Sequence, residues 1–150
     1  MIVKHKGDLL AVKEGIVVQG CNAQGKMGSG IAALFKEQYP AAFRAYRQQY
    51  ERDGLRTGQV VFHQENDQLI IANAITQRDY GRNPNIVYVN YPAITQCFEL
   101  VAKQARDSGI SDVHFPLIGC GLANGEWDKV APRIEAALGE TIRAHLWLKD

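Results

Sequence analysis

The sequence predicts a three-layer α/β/α sandwich around a mixed, mostly parallel central sheet. Three observations carry this. Short β-branched runs alternate with segments of helical periodicity along all 150 residues. Two of the β-rich runs are separated only by a short polar loop and read as a hairpin. Two glycine-rich loops, 20–30 and 119–125, each follow a strand and lead into a helix. Alternating strands and helices give a sheet covered on both faces.

Each element has its own local reason. Residues 1–4 (MIVK) open as a short strand. Residues 15–20 (GIVVQG) hold a β-branched run suited to a buried strand that ends in the first glycine loop. From Ser29 to Tyr39 the apolar residues Ile31, Leu34 and Phe35 share a helix face. Pro40 suits the first turn of a second helix, which Gly54 would end. GQVVFHQ and QLIIANA flank the loop ENDQ as the hairpin. Tyr91, Ile94, Phe98, Val101 and Ala105 recur at helical spacing, with Asn90 as N-cap and Gly109 as stop. Residues 112–118 form the next strand and run into GCGLANG. A helix follows from about Glu126, with Pro132 inside it as a potential kink. Residues 142–148 (IRAHLWL) close the sheet.

The totals bound the function. One domain over residues 1–150 with a substantial core suits this length and a hydrophobic fraction of 46%. A net charge of +1 argues against a dedicated nucleic-acid-binding surface, which carries a basic excess. Cys21, Cys97 and Cys120 are odd in number and form no C-x-x-C pair, so a reducing cytoplasm fits. No signal peptide and no spanning segment is expected, hence no membrane partner. A monomer is the simplest expectation. His5, His63, His114 and His145 are scattered without metal-ligand spacing, so neither a metal nor a cofactor is expected.

The glycine loop fits some phosphate-binding designs and not others. A Walker loop places its lysine after the last glycine, whereas Lys26 precedes Gly28. GSGIAA matches the dinucleotide fingerprint literally. However, the acidic residues at the right distance, Glu51 and Asp53, lie in a helix-like stretch, and the turn from Gly20 to Gly28 is too long.

The whole chain resembles the macrodomain family, modules that bind ADP-ribose. Gly7-Asp8-Leu9-Leu10 is similar to the family's Gly-Asp-Ile element. Gly20-Cys21-Asn22-Ala23 stands in place of its Asn-Ala-Ala-Asn segment, and Met27-Gly28-Ser29-Gly30-Ile31-Ala32 resembles the glycine loop that follows. Pro116-Leu117-Ile118-Gly119-Cys120-Gly121-Leu122 resembles the second, phosphate-facing loop. Trp127 follows, as in the branch holding terminal ADP-ribose glycohydrolases, DNA-ADP-ribose glycohydrolase antitoxins and yeast-type ADP-ribose 1″-phosphate phosphatases. The resemblance implies that Asp8 accepts from the adenine amino group while the Leu9 N–H serves the ring. It implies that Asn22, able to donate and accept, holds the distal ribose. Lys26, Met27, Gly28, Ser29, Gly30 and Ile31 would line the diphosphate on one side. Ile118, Gly119, Cys120, Gly121 and Leu122 would clamp it from the other. Asp8 would equally serve as a turn cap, and Asn22 as a left-handed turn residue.

Catalysis is less legible. The glycohydrolase branch uses a lysine where this chain has Gln77, and an amide cannot form a Schiff base. Some members carry an aspartate just after the second loop, where this chain reads Leu122-Ala123-Asn124-Gly125. Yeast-type phosphatases carry a histidine where Gln19 stands. Cys120 lacks the arginine six positions on that a cysteine phosphatase needs; Glu126 is there instead. A hydrolase acting on ADP-ribose 1″-phosphate or an ADP-ribosyl ester through a positioned water remains the favoured expectation. Asn22, Gln77 and Asp79 are its candidate catalytic residues, with Asp79 as general base. The alternative is a binding module that reads or sequesters ADP-ribose, free or linked to a macromolecule.

Overall fold

The computed structural model describes residues 1–149. Eleven elements follow in order: β1 (Ile2–Lys6), a short 3₁₀ turn (Leu9–Ala11), β2 (Gly15–Asn22), α1 (Gly30–Gln38), α2 (Pro40–Asp53), β3 (Val60–Gln64), β4 (Leu69–Gln77), α3 (Tyr91–Ser108), β5 (Asp112–Phe115), α4 (Trp127–Leu138) and β6 (Arg143–Leu148). The strands form one six-stranded sheet in the order β1-β6-β5-β2-β4-β3. Every pairing is parallel except β3 with β4, the expected hairpin.

Side chains alternate across the sheet and build two layers. Ile16 and Val18 of β2 face α3 and α4, joining Phe98, Val101, Phe115, Ile134 and Leu146 in the main core. Val17 between them faces the other way, with Ile71, Phe35 and Tyr39. A third cluster of Cys21, Met27, Tyr46 and Ile75 continues under the first glycine loop. The three layers predicted from the sequence are therefore present.

Boundaries moved for local reasons. The strand expected over 112–118 ends at Phe115, because Pro116 has no N–H to give the ladder. β4 runs three residues past Ala74, as far as Gln77. Pro132 does not end α4, which is helical from Trp127 to Leu138. Asn90 caps α3 through its side chain, and Gly109 ends it in the left-handed conformation.

Parallel strands place their carboxyl ends along one edge. β2 and β5 are neighbours, and the loops after them leave for α1 on one face and α4 on the other. Such a crevice is where open α/β sheets bind ligands.

Candidate functional site

Two connected cavities lie along that edge. The smaller, of about 390 Å³, is formed by Gly7, Asp8, Leu9 and Leu10 after β1, Ile31 and Leu34 of α1, Pro116 and Leu117, and the end of β6 from Trp147 to Lys149. The larger, of about 960 Å³, extends over both glycine loops to Gln77, Tyr80, Gly81 and Arg82. Ile31, Pro116 and Leu117 border both, so the two open into each other.

At the small end Asp8 serves as the cap of the 3₁₀ turn, its Oδ1 accepting from the Leu10 N–H at 2.9 Å. The cap leaves Oδ2 for another donor. The Leu9 N–H begins that turn and has no acceptor within it. Gly7 lets the chain pass close to Trp147, since a Cβ there would lie 3.2 Å from the indole Cζ3. Trp147 therefore stands as a wall of this compartment.

Between the ends, α1 begins at Gly30 with Ser29 as an N-cap whose side chain makes no capping bond. The first N–H groups of α1 and the Ser29 hydroxyl are thus available to an anion at the positive end of the helix. On the opposite side the second loop folds tightly: the Gly125 N–H donates to the Gly119 carbonyl at 2.7 Å. Among the described residues Asn124 is the non-glycine residue with positive φ, at 60°. Its amide donates to the carbonyls of Ile86 (2.7 Å) and Asn83 (3.0 Å). The loop from Arg78 to Val89 is thereby tied to the second glycine loop.

At the large end Asn22 is heavily engaged. Its Oδ1 accepts from the Gln24 N–H at 2.9 Å and its Nδ2 donates to the Lys26 carbonyl at 2.8 Å, while the Tyr46 hydroxyl donates its hydrogen chiefly to the Asn22 backbone carbonyl at 2.6 Å, with Oδ1 at 3.0 Å. It closes the turn 22–26 as the last residue of β2, not in the left-handed conformation. One Nδ2 hydrogen remains for a ligand. Gln77 lines the cavity, and its Nε2 donates to the Asp79 carbonyl at 2.7 Å. The Lys26 ammonium sits 5.9 Å from the centre of the Tyr80 ring at the rim.

The structure brings together Asp8 and Leu9 at one end, and Asn22, Lys26, Gly28, Ser29, Gly30, Ile31, Gln77, Ile118, Gly119, Cys120, Gly121 and Leu122 around the other. Two expected residues are not among those lining either cavity. Met27 is 3% exposed and fills the core beside Cys21, Tyr46 and Ile75, because an apolar thioether gains more there than at a polar cavity. Asp79 turns its carboxylate to the Gln24 amide at 3.2 Å, tying the two loops together. Gln19 is also buried, donating to Asn73 Oδ1 at 2.8 Å on the α2 side of the sheet. Cys120 donates to the Ile118 carbonyl at 3.5 Å, and burial pushes its thiol pKa up, which disfavours the thiolate a nucleophile needs.

Sequence reasoning missed Trp147 and Leu148 in the small compartment, and Arg82 and Gly81 in the large one. A tryptophan near the carboxyl end of the last strand was the available signal for the first. Arg82 sits in a loop without periodicity and gave none. Among the described residues no three His, Cys, Asp or Glu side chains converge to hold a metal ion. No described helix is long and apolar enough to cross a membrane.

Comparison with known proteins decides the family. The Macro domain family model matches residues 18–134. The chain is a macrodomain. It is 29% identical over 141 residues to the DNA ADP-ribosyl glycohydrolase of Mycobacterium tuberculosis, covering 91% of this chain and 38% of that protein. It is 28% identical over 137 residues to human ADP-ribose glycohydrolase OARD1, covering 91% of this chain and 83% of the human one. Among solved structures, the macrodomain of Mycobacterium tuberculosis DarG superposes with a TM-score of 0.82 at 26% identity, covering 98% of this macrodomain and 97% of that chain. This macrodomain thus spans well under half the length of the mycobacterial relative it matches.

Proposed function

We propose that this macrodomain, as one module over residues 1–150, binds ADP-ribose across both cavities and hydrolyses a bond at the distal ribose of an ADP-ribose derivative. The observation that carries the proposal is the continuous pair of cavities with Asp8 at one end and Asn22 and Gln77 at the other, bridged by two glycine loops and the start of α1. Adenine occupies the small compartment, its amino group donating to Asp8 and its ring accepting from the Leu9 N–H. The diphosphate lies between residues 28–30 and 118–122. The distal ribose reaches Asn22 and Gln77. The relatives named as ADP-ribose glycohydrolases and as ADP-ribose 1″-phosphate phosphatases support the same substrate class.

The residues at the distal end limit the chemistry. Among the described residues lining the two cavities, Asp8 is the one carboxylate, and it sits at the adenine end. Gln77 and Asn22 can orient a water but cannot deprotonate it. A 1″-phosphate supplies the missing base: its own oxygen takes the proton as water attacks phosphorus and passes it to the sugar oxygen as the bond between phosphorus and that oxygen breaks, so that ADP-ribose with a free 1″-hydroxyl and inorganic phosphate leave. Orientation of water and phosphate supplies the rate, and Lys26 and Arg82 offset the charge. Asp79 would serve as base only after leaving Gln24.

A second reading is a binding module without turnover. It is favoured by Gln77 at the family's lysine position and by the engagement of Asp79 with Gln24. One set of measurements separates them: calorimetric titration with ADP-ribose, phosphate release from ADP-ribose 1″-phosphate, and ADP-ribose release from ester-linked substrates. Tight binding with no turnover of any of these supports the module. Absence of ADP-ribose binding overturns both.

A further inference from the structure

A cluster of titratable side chains lies behind the adenine wall, on β1, β6 and β5, on the same face of the sheet as Val17 and the α1 side of the core. His5 Nε2 is 2.9 Å from His145 Nδ1. His145 Nε2 is 2.8 Å from Asp112 Oδ1. Asp112 is also held by Arg143 through two bonds of 2.7 Å. His114 stacks on His145 with centroids 4.7 Å apart, and His5 stacks on Trp147 at 4.4 Å. The Trp147 indole Nε1–H donates to His114 Nδ1 at 2.9 Å. The strand register produces this, pairing His5 with Trp147 and His114 with His145.

The donors fix the proton positions. An indole N–H can only donate, so His114 Nδ1 carries a lone pair and Nε2 carries the hydrogen. Arg143 holds the Asp112 carboxyl well below the usual carboxylate range, so Asp112 accepts and His145 Nε2–H donates. With no further proton, His5 Nε2–H donates to His145 Nδ1. With one, His145 Nδ1–H donates to His5 Nε2. Both states keep the 2.9 Å bond. A second proton sets two N–H groups against each other and breaks it.

We propose that His5, His145 and His114, anchored by Asp112, are positioning residues that hold Trp147 as the adenine wall, and that double protonation of the His5–His145 pair releases His5 from the pair and weakens the wall. The groups facing the pair are Asp112 and His114 from β5, and Arg143 and Trp147 from β6. Lys4 and Lys6 on β1 share the opposite face with Leu146 and Leu148 by register. Burial keeps His114 neutral, its pKa lowered to about 4, so His114 does not itself supply the second charge above that pH. The effect on ligand rests on the assignment of adenine to the small compartment; the effect on Trp147 does not.

The test has two arms. In the ligand-free arm, the Trp147 indole Nε1–H resonance is followed by NMR between about pH 8 and pH 5, the range in which histidine changes charge, in a Trp127→Phe background. The resonance should titrate, and His5→Phe, which keeps an aromatic ring against Trp147 but cannot pair with His145, should abolish that titration. In the second arm ADP-ribose, whose diphosphate keeps its charge over this range, is titrated by calorimetry. Affinity should fall about threefold to tenfold from pH 8 to pH 5, as expected when binding changes a site's proton affinity by about half to one pH unit, and stay level in His5→Phe. An indole resonance that ignores pH, or titrates unchanged in His5→Phe, overturns the positioning network. A titrating indole with ADP-ribose affinity independent of pH overturns its link to the ligand. A titrating indole with no ADP-ribose binding at any pH leaves the network supported and overturns the adenine assignment.

Discussion

Gly119→Ala probes whether the second loop depends on a glycine at its closest approach to the core. Gly119 has φ of +78°, and holding an L-residue there costs about 1 kcal/mol or more. A Cβ would also lie 2.6 Å from Val89 Cγ2 and 3.2 Å from Val89 Cβ. Val89 has little room to retreat: it is 5% exposed and packs in the main core. Its backbone N–H donates to the Ala123 carbonyl at 3.3 Å. Overpacking of this kind costs about 1–3 kcal/mol, so the variant should lose about 2–4 kcal/mol in all. Val89→Ala removes the clashing methyl groups and leaves the backbone strain. The double variant should therefore be more stable than the sum of the single effects by about 1–2 kcal/mol. Urea unfolding of all four proteins measures this, read from midpoints at constant slope. ADP-ribose titration alongside should show Gly119→Ala weakened, because the loop proposed to clamp the diphosphate must move to admit the methyl. A Gly119→Ala protein within about 0.5 kcal/mol of the parent, or single effects that simply add, refutes this account of the loop.

Three other outcomes are expected. Asp8→Asn keeps an oxygen to cap Leu10 but loses the charge, so ADP-ribose should bind about threefold to tenfold more weakly with an unchanged melting temperature; equal affinity removes Asp8 from the adenine site. Tyr46→Phe deletes the 2.6 Å bond to the Asn22 carbonyl and should destabilise by about 1–2 kcal/mol, with greater hydrogen exchange in residues 22–26; no loss by urea unfolding would mean that this turn does not depend on the hydroxyl. His114 has its pKa lowered from 6.5 to about 4 by burial, so below pH 6.5 the unfolded chain binds a proton that the folded one does not. Its contribution is present in full above about pH 6.5 and is lost as pH falls towards about 4, up to about 3 kcal/mol. His114→Gln should flatten that acid limb in urea unfolding across pH, and an unaltered limb places the loss elsewhere.

Much of the fold was legible because its signals are local. β-branched runs, helix periodicity, Asn90 as cap and Gly109 as stop each act within a few residues. The paired glycine loops were legible for the same reason: a strand, a glycine turn and a helix start are contiguous in each. The misses concern where a loop side chain points. Met27 and Lys26 are adjacent in a loop without period, and only the hole left by Cys21, Tyr46 and Ile75 decides which of them turns inward. Asp79 is decided by Gln24, fifty-five positions earlier. Trp147 reaches the site because β1 and β6 pair across almost the whole chain, a contact that no window of sequence contains.

Those misses bear on function unequally. Removing Met27 from the lining costs the binding assignment nothing, since the glycine loops and the start of α1 still line the larger cavity. Engaging Asp79 with Gln24 changes the chemistry, because the distal end then holds amides and cations and no carboxylate. Such a site favours an anionic ligand through fixed donors, an effect that strengthens as water is excluded. It gives little help to a reaction whose base must come from protein. The same arrangement that makes ADP-ribose binding the better-supported half of the function therefore selects among substrates for the other half. A 1″-phosphate carries its own proton acceptor into the cavity, whereas an ester does not. Phosphate release should accordingly exceed ester cleavage at equal occupancy, and Asp79→Asn should leave phosphate release within about twofold of the parent protein, in contrast to the loss of about a hundredfold or more expected on removing a general base.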